Sequence, residues 1–405
     1  RLARRFRRPG RLLFPRGRVM RRMAMTPRAN LDARIKEFGF DFHAPDGQVY
    51  WDETAAYAFT LAEIERDIEG PTAELGALCL ELVNRVVGDE EALRLLHIPP
   101  HAWDAIATSW KRRDPTLYGR FDFSYDGKGP AKLLEYNADT PTSLYEAAVF
   151  QWVWLEDQIA AGALPAGADQ FNSLHEKLLA RLAQLGRGRR LDLAAMPGNV
   201  EDVGFIAYLD DCARQAGLET QRLAMADIGV TAEPRFVDRA NRPIELMFKL
   251  YPWEWMWNDE YGRSPAVVTT QFLEPPWKAL LSNKGMLALL WRMAPGHPNL
   301  LPAFFEHDPA KAELGAHFAR KPLYSREGAN VLLVDGDRVV AREEGAYGAE
   351  GYVRQALSLL PDFGGMRPVV GSWVIGDEAC GVGLREDTTA ITRNSSRFLP
   401  HAILD

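Results

Sequence analysis

The stretch that most constrains this chain is LYGRFDFSYDGKGPAKLLEYNADTPTSLYEA, residues 117–147. Two β-patterned runs, 117–125 and 131–137, flank a turn segment made of Asp, Gly, Lys, Gly and Pro. Gly and Pro in such a segment end regular structure and favour a tight reversal of the chain. The stretch therefore predicts an antiparallel β-hairpin.

Four polar residues on this hairpin fall into two aligned pairs. Side chains alternate faces along a strand, so Arg120 and Asp122 share one face, as do Glu135 and Asn137 on the second strand. A symmetric turn places Asp122 opposite Glu135 and Arg120 opposite Asn137, with opposed side chains about 5 Å apart. Two opposed carboxylates repel each other unless a cation lies between them, and oxygen ligands of this kind suit Mg²⁺. A guanidinium beside them suits a phosphate. From the spacing alone, a half-exposed hairpin whose polar face meets water is an equally open interpretation.

The composition narrows the class of protein. The chain has 405 residues, 47% of them hydrophobic, enough for two or three domains or one large catalytic unit. Its three cysteines have no CxxC spacing, which argues against a disulfide framework or a cysteine zinc site and favours a reducing compartment. No apolar run reaches the roughly 18 residues needed to span a bilayer. We therefore expect a soluble, cytoplasmic protein without a membrane partner.

The first thirty residues form a strongly basic segment. They carry eleven arginines and no acidic residue, so the rest of the chain has a formal net charge of −18, against −7 for the whole. An over-extended start ahead of Met20, Met23 and Met25 explains the segment, as does a disordered basic tail. A transit peptide would usually contain serine, which is absent, and a nucleic-acid-binding arm is a further alternative. We treat residues 1–28 as a separate segment, either a disordered basic tail or a misassigned start. We do not expect nucleic acid to be a partner of the chain.

The rest of the chain predicts an α+β or α/β fold. Periodicity and turn residues predict helices over 54–69, 72–87, 100–112, 142–161 and 172–186, a strand–helix–strand unit with parallel strands over 191–222, and hairpins over 331–342 and 367–387. Residues 246–258 are dense in aromatic side chains. These rings are interpreted mainly as core, with a substrate-facing wall as the alternative.

Three strings, RFDF, LLEYNADTPTSLYEA and GLREDTTAITRNSSRFLPH, occur in this order along the chain. They resemble the motifs of the glutathionylspermidine synthase family, specifically the synthetase part with an ATP-grasp-like fold, and the likeness runs from about Arg28 to the end. The resemblance implies N-terminal scaffold helices within a synthetase domain over 29–405. A pre-ATP-grasp α/β substrate lobe is expected at about 190–280. Residues 281–405, with the hairpin at 117–138, are expected to form the nucleotide and magnesium site.

The resemblance also implies roles for individual residues. Mg²⁺ ligands correspond to Asp122, Glu135 and Asn137, and phosphate contacts at the reacting centre correspond to Arg120 and Arg385. The ATP-binding positions correspond to Lys284 and Lys321, to Ser325, Gly328 and Asn330 in a flexible flap, and to Gln355 and Leu357 in an adenine hinge. Peptide-substrate contacts correspond to Thr140, Thr142 and Ser143, although helix capping explains these three equally well. Glu254, among the aromatic residues, is interpreted as an amine contact.

The activity implied by the resemblance is ATP-dependent ligation of an acid to an amine through an acyl phosphate. ATP and Mg²⁺ are the implied cofactors. A glutathione-like peptide is the implied carboxylate and a polyamine such as spermidine the implied amine. The amidase domain of bifunctional members has no counterpart, so amide hydrolysis is not expected. The alternative is an ATP-binding regulatory protein of the same fold without ligase turnover.

Overall fold

Five β-sheets and twelve α-helices form the fold of residues 20–404, the part of the chain that this computed structural model describes. The helices are α1 (Leu31–Phe38), α2 (Leu61–Glu63), α3 (Gly70–Val86), α4 (Glu90–Leu95), α5 (Trp103–Lys111), α6 (Gln151–Ala160), α7 (Leu174–Gly186), α8 (Val200–Gln215), α9 (Trp253–Met256), α10 (Glu260–Arg263), α11 (Ala279–Ser282) and α12 (Met286–Met293). The strands are β1 (Arg21–Ala24), β2 (Ala55–Phe59), β3 (Tyr118–Ser124), β4 (Lys132–Asn137), β5 (Arg190–Ala195), β6 (Glu219–Ala224), β7 (Gly229–Val230), β8 (Phe236–Val237), β9 (Leu246–Leu250), β10 (Gln271–Leu273), β11 (Ala303–Phe305), β12 (His317–Pro322), β13 (Leu332–Asp335), β14 (Arg338–Arg342), β15 (Tyr352–Ala356), β16 (Arg367–Ile375), β17 (Glu378–Asp387), β18 (Arg397–Leu399) and β19 (His401–Ile403).

The predicted hairpin lies at one side of an antiparallel sheet with the order β18-β17-β16-β3-β4, called the hairpin sheet. Strand β3 pairs with β4 on one side and with β16 on the other, and all seven of its residues are buried. The interpretation of a half-exposed hairpin is therefore wrong for β3, whereas four of the six residues of β4, including Glu135 and Asn137, are partly exposed. The predicted hairpin over 367–387 is confirmed as β16 and β17.

Two further sheets contain other predicted elements. The flap sheet, with the order β11-β15-β12-β13-β14, contains the predicted 331–342 hairpin as β13 and β14. A parallel sheet, with the order β10-β9-β5-β6, confirms the predicted parallel strands on either side of α8. Asn199 begins α8 by accepting hydrogen bonds from the backbone N–H groups of Glu201 and Asp202.

The aromatic segment 246–258 belongs mainly to the core, as expected. The side chains of Phe248, Trp253 and Trp257 are buried, and the last two rings stack with centroids 4.4 Å apart. Trp255 differs, since 42% of its surface is exposed. One ring of this segment is therefore free to meet a ligand.

The predicted helix over 54–69 is wrong in its first half. Ala55–Phe59 is strand β2, completely buried between β1 and β19. A strand packed on both faces shows no polar alternation, so its apolar run resembles a buried helix. The helical part begins after Thr60, whose side chain accepts from the N–H of Glu63 in a capping box.

Residues 20–28 are integrated in the fold rather than part of a separate tail, and only residues 1–19 of that segment lie outside the described residues. Strand β1 pairs with β2, and Arg28 is buried between the carboxylates of Glu53 and Asp157. Arg22 donates to both carboxylate oxygens of the fully buried Glu386, at 2.9 and 2.8 Å. The 1–28 boundary is therefore too late, because these contacts are made with residues remote in the sequence.

The three cysteines, Cys79, Cys212 and Cys380, are free and buried. No helix within residues 20–404 is long and apolar enough to cross a bilayer.

Replacing Arg22 by Ala is expected to lower the free energy of unfolding by about 2 kcal/mol, the range for hydrogen bonds to a charged group. Glu386 would lose two donors while remaining buried. The measurement is urea denaturation of the two proteins. As a control, Arg85→Ala removes an exposed helical pair with Glu81 and should cost no more than about 0.5 kcal/mol. Equal losses in the two variants would contradict the structural role of Arg22.

Candidate functional site

The predicted register of the hairpin is confirmed on the side that carries the polar residues. Arg120 lies opposite Asn137, and Asp122 lies opposite Glu135. A bulge follows Asp122, so that Phe123 pairs with Leu133 instead of continuing the regular register. The bulge lies beyond the four polar residues and leaves them on one face of the sheet.

Arg120 is fixed from three directions. Its guanidinium donates to both oxygens of Asp122, at 2.6 and 2.9 Å, and to the carbonyl of Thr142 at 2.7 Å. It also lies over the ring of Trp373, 5.4 Å from the centroid. The side chain crosses Gly371 on β16, where an added Cβ would lie 2.7 Å from Cδ of Arg120. Glycine at 371 is therefore required for this orientation.

Asn137 brings the two carboxylates together. Its amide nitrogen donates to Oδ2 of Asp122 at 2.9 Å and to Oε1 of Glu135 at 3.3 Å. Burial opposes ionisation of Glu135, but Lys284 and Lys321 outweigh it and lower the pKa to about 2. Burial raises the pKa of Asp122 despite the opposing charge of Arg120. Two carboxylates from different strands thus converge on one amide.

Two lysines face this group. The ammonium of Lys284 lies 2.8 Å from Oε2 of Glu135 and also donates to the carbonyl of Ser325. That of Lys321 donates to the carbonyl of Leu134 and to Oε1 of Gln355, both at 2.8 Å. Burial lowers the pKa of Lys321 to about 8. A buried amine with a depressed pKa is ready to gain a proton beside an anion.

One cavity of about 1120 Å³, called the main cavity, brings most of the predicted residues together. Its wall includes Arg120, Asp122, Glu135, Asn137, Thr140, Thr142, Lys284, Lys321, Gly328, Gln355 and Arg385. The remainder of the wall is largely apolar, with Val331, Leu333 and Ile391 among its residues. The cavity therefore has a charged end and an apolar end, a combination that suits a nucleotide.

Five predicted residues lie outside the main cavity. Ser143 lines an adjoining cavity with Arg120 and Arg385, while Ser325 and Glu254 line a smaller one with Lys284. Asn330 instead donates its amide to the hydroxyl of Tyr352 at 3.0 Å, and the N–H of Leu357 donates to the carbonyl of His317 at 3.1 Å. These hydrogen bonds occupy donors of the last two residues, which the structure does not bring to the wall of the three cavities.

Arg385 approaches the site from β17. One of its terminal nitrogens donates to the carbonyls of Arg393 and Asn394, which hold the side chain in place. Its Nε is buried and has no hydrogen-bond partner among the described residues. A guanidinium with an unused donor at the wall of a cavity has the chemistry that suits an anion.

The segment that connects β12 and β13 carries a residue that the sequence did not single out. Arg326 donates to the side chain of Thr140 at 2.6 Å and lies 3.4 Å from a carboxylate oxygen of Glu254. Glu327, Gly328 and Asn330 adopt positive φ angles. Arg326 therefore joins this flap to the opposite wall of the site, a contact that no local sequence pattern reports.

A second group of carboxylates, near the arginines, was also missed. Burial raises the pKa of Glu146 to about 8, with a contribution from the charge of Glu201. Burial and the same neighbour raise the pKa of Asp202 to about 6. Tyr50 donates to Glu146 and contacts the hydroxyl of Ser143 at 2.8 Å. In the sequence, Glu201 and Asp202 only indicate the acidic first turn of a helix.

The predicted metal ligands have the donor chemistry that Mg²⁺ prefers. Residues 20–404 contain no group of three or more His, Cys, Asp or Glu side chains placed to hold a metal ion. Asp122, Glu135 and Asn137 supply two carboxylates and one amide, which is sufficient for an ion that retains water or phosphate ligands. Rotation of the Asn137 amide by half a turn would present its oxygen instead of its nitrogen. The three residues therefore fit the group that the resemblance implies.

Comparison with known proteins identifies the family to which the chain belongs. The model of the glutathionylspermidine synthase preATP-grasp family matches residues 22–404. A Haemophilus influenzae protein named "Putative acid–amine ligase" is 44% identical over 399 residues, which is 94% of this chain and 99% of that protein. A glutathione synthetase-like effector from Globodera pallida has a similar fold, with a TM-score of 0.57 at 11% identity over 92% of this chain and 97% of that one.

Two longer relatives carry more specific names. Trypanothione synthetase from Crithidia fasciculata is 28% identical over 79% of this chain, and the bifunctional glutathionylspermidine synthetase/amidase of Escherichia coli is 25% identical over 88%. The matched part covers 52% and 60% of these two proteins. With the family model spanning nearly every described residue, the chain belongs to the glutathionylspermidine synthase preATP-grasp family, a group of ATP-dependent ligases.

Proposed function

We propose that this chain is an ATP-dependent acid–amine ligase that forms an amide through an acyl phosphate. The observation that carries the proposal is the convergence of two carboxylates on Asn137 at the wall of a cavity that is also lined by two lysines and three arginines. Phosphoryl transfer uses such a set, because the protein mainly positions the phosphates and neutralises their charge. Membership of a family of ATP-dependent ligases supports the use of ATP.

Each charged residue has a task in this proposal. Asp122, Glu135 and Asn137 would hold Mg²⁺, which when bound offsets the negative charge of the triphosphate. Lys284 and Lys321 exchange their present partners for phosphate oxygens. The apolar end of the main cavity receives the adenine, beside the strand that carries Gln355.

The reaction has two steps. A carboxylate oxygen of the acid attacks the γ-phosphorus, the bond to the bridging oxygen of ADP breaks, and an acyl phosphate forms. The uncharged nitrogen of the amine then attacks the carbonyl carbon, phosphate leaves with the C–O electron pair, and the new amide nitrogen releases a proton. Arg120 and Arg385 stabilise the charge on the transferring group, and the free Nε of Arg385 supplies a donor for it.

The substrates are an acid with a peptide-like backbone and an amine of the polyamine class. Thr140, Thr142 and Ser143 line the side of the site from which the acid reaches Arg120. Burial raises the pKa values of Glu201 and Asp202, at the start of α8 in the proposed substrate lobe, so an ammonium group of either substrate beside them would favour their charged form. The names of the relatives support glutathione and spermidine as the first pair to test.

The flap excludes water from the acyl phosphate. Ser325 holds the flap by donating to the carbonyl of Ala329 at 2.6 Å. Gly328 lies against the Thr392 carbonyl, and an added Cβ there would approach that oxygen to 2.8 Å. A larger residue at 328 would hold the flap open and allow hydrolysis of the intermediate.

ADP release is expected only when Mg²⁺-ATP, an acid and an amine are all present, with the mass of the product equal to that of the amide. Asp122→Asn and Glu135→Gln should each lower the rate roughly 100-fold or more, because each removes a negative charge that would hold Mg²⁺ against the phosphates. Glu219→Gln, at an exposed position on β6, is the matched control and should retain full activity. ATP binding without turnover on any pair would favour the regulatory alternative.

ATP binding at pH 8.5 is expected to be accompanied by uptake of a proton by Lys321. The free protein holds this group with a pKa of about 8, so it is mostly neutral at that pH. A bound polyanion favours the charged form, which raises the pKa and draws in a proton. Calorimetric titration in two buffers of different ionisation enthalpy measures the uptake.

Lys321→Met should abolish this proton uptake and weaken ATP binding. Lys36→Met, at an exposed position on α1, should leave both unchanged. Equal proton uptake by the wild-type protein and Lys321→Met would show that another group titrates.

A further inference from the structure

A large groove beside the flap is lined by none of the residues used in the proposed mechanism, and Glu254 is the one sequence-predicted site residue in its wall. Its volume, including the part open to solvent, is about 1230 Å³, and it is called the aromatic groove after the rings of Trp103, Trp255, Tyr324 and Tyr347 in its wall. Trp255 is the exposed ring of the 246–258 segment, 42% accessible, whereas its neighbours belong to the core. An exposed indole that faces other rings across a groove indicates a surface that meets a ligand.

The charges of the aromatic groove favour a cation. Glu254 and Glu350 both line it, and Glu350 is held by the backbone N–H groups of Tyr324 and Gly348 at 3.2 and 2.9 Å. Arg94 is the one Lys or Arg among the lining residues, and it is paired with Glu90 at 2.6 Å. Aromatic faces together with carboxylates are the recognition chemistry of ammonium groups.

Glu254 is incompletely paired for a carboxylate that is only 9% exposed. Among the described residues, its one ion pair is the contact of 3.4 Å with Arg326. Burial raises the pKa of Glu254, which shows that the surroundings do not fully compensate its charge. An ammonium group beside it would supply the missing compensation.

Glu254 also connects the aromatic groove to the catalytic residues. The same side chain lines a smaller cavity of about 340 Å³ whose wall includes Glu135, Asn137 and Lys284. An elongated ligand in the aromatic groove would therefore have one end at Glu254, beside the residues proposed to bind the metal ion and the phosphates. A free surface groove would have no such connection.

We propose that the aromatic groove binds the cationic chain of the amine substrate, an aliphatic amine with at least two ammonium groups. Trp255 and Tyr347 contact one ammonium through their faces, and Glu254 pairs with another at the inner end. That the bound amine is a substrate rests on the function proposed above. The binding itself is independent of turnover.

Calorimetric titration of the full chain with spermidine, without nucleotide, tests this binding. The wild-type protein is expected to bind spermidine, and Trp255→Ala and Glu254→Gln are each expected to raise the Kd roughly 3- to 30-fold, the range for a cation–π or similar contact. Trp255→Phe keeps an aromatic face and should restore most of the affinity. Glu219→Gln, at an exposed site, should bind like the wild type.

Two results would overturn the proposal: no binding of spermidine to the wild type, or equal affinity in the wild type, Trp255→Ala and Glu254→Gln. Butylamine, with a single ammonium, should bind more weakly and respond less to Glu254→Gln. A parallel ADP-release assay separates the two proposals. Spermidine binding that depends on Trp255, without turnover on any acid, would support the aromatic groove and contradict the ligase. Turnover whose KM for spermidine is unchanged in Trp255→Ala would contradict the aromatic groove and leave the ligase intact.

Discussion

The antiparallel pairing of β3 with β4 is the interaction on which the site depends. Its opposite face is fixed by the rings of Phe121 and Tyr136, which stack with centroids 3.8 Å apart and planes within 3°. The hydroxyl of Tyr136 lies over Gly119, where a Cβ would approach it to 2.6 Å. A slip of one residue would exchange the faces and turn Asp122 and Glu135 toward the core. The aromatic face therefore fixes the register that the charged face requires.

The charges of the site compensate one another before any ligand binds. Asp122 pairs with Arg120, and Glu135 with Lys284, at 2.6 and 2.8 Å. Buried pairs of this kind contribute little net stability, because desolvation offsets most of the Coulomb attraction. In the proposed function these pairs would be exchanged, because a phosphate would pair with the lysine and a metal ion with the carboxylates, so that each charge keeps a partner. The proposed ammonium near Glu254 follows the same rule.

Local sequence patterns predict the hairpin, whereas the rest of the site is formed by contacts between residues that are distant in the sequence. The register of β3 and β4 was predictable, because turn chemistry and side-chain alternation act over some twenty residues. Arg326 and Glu201 were missed, since each acquires its significance only from residues far along the chain. Strand β2 carries a helix-like apolar pattern, because burial on both faces removes the alternation that marks a strand. Family resemblance supplied Arg385 and Lys321, which no local pattern distinguishes from other charged strand residues.

The central claim, that Asp122, Glu135 and Asn137 form one metal site on paired strands, has a direct structural test. A crystal of the protein grown with Mn²⁺ and a non-hydrolysable ATP analogue would locate the metal by its anomalous scattering. The account predicts a peak within coordination distance of both carboxylates, about 2.0–2.3 Å. A nucleotide bound with its metal elsewhere, and Asp122 still paired with Arg120 alone, would contradict it.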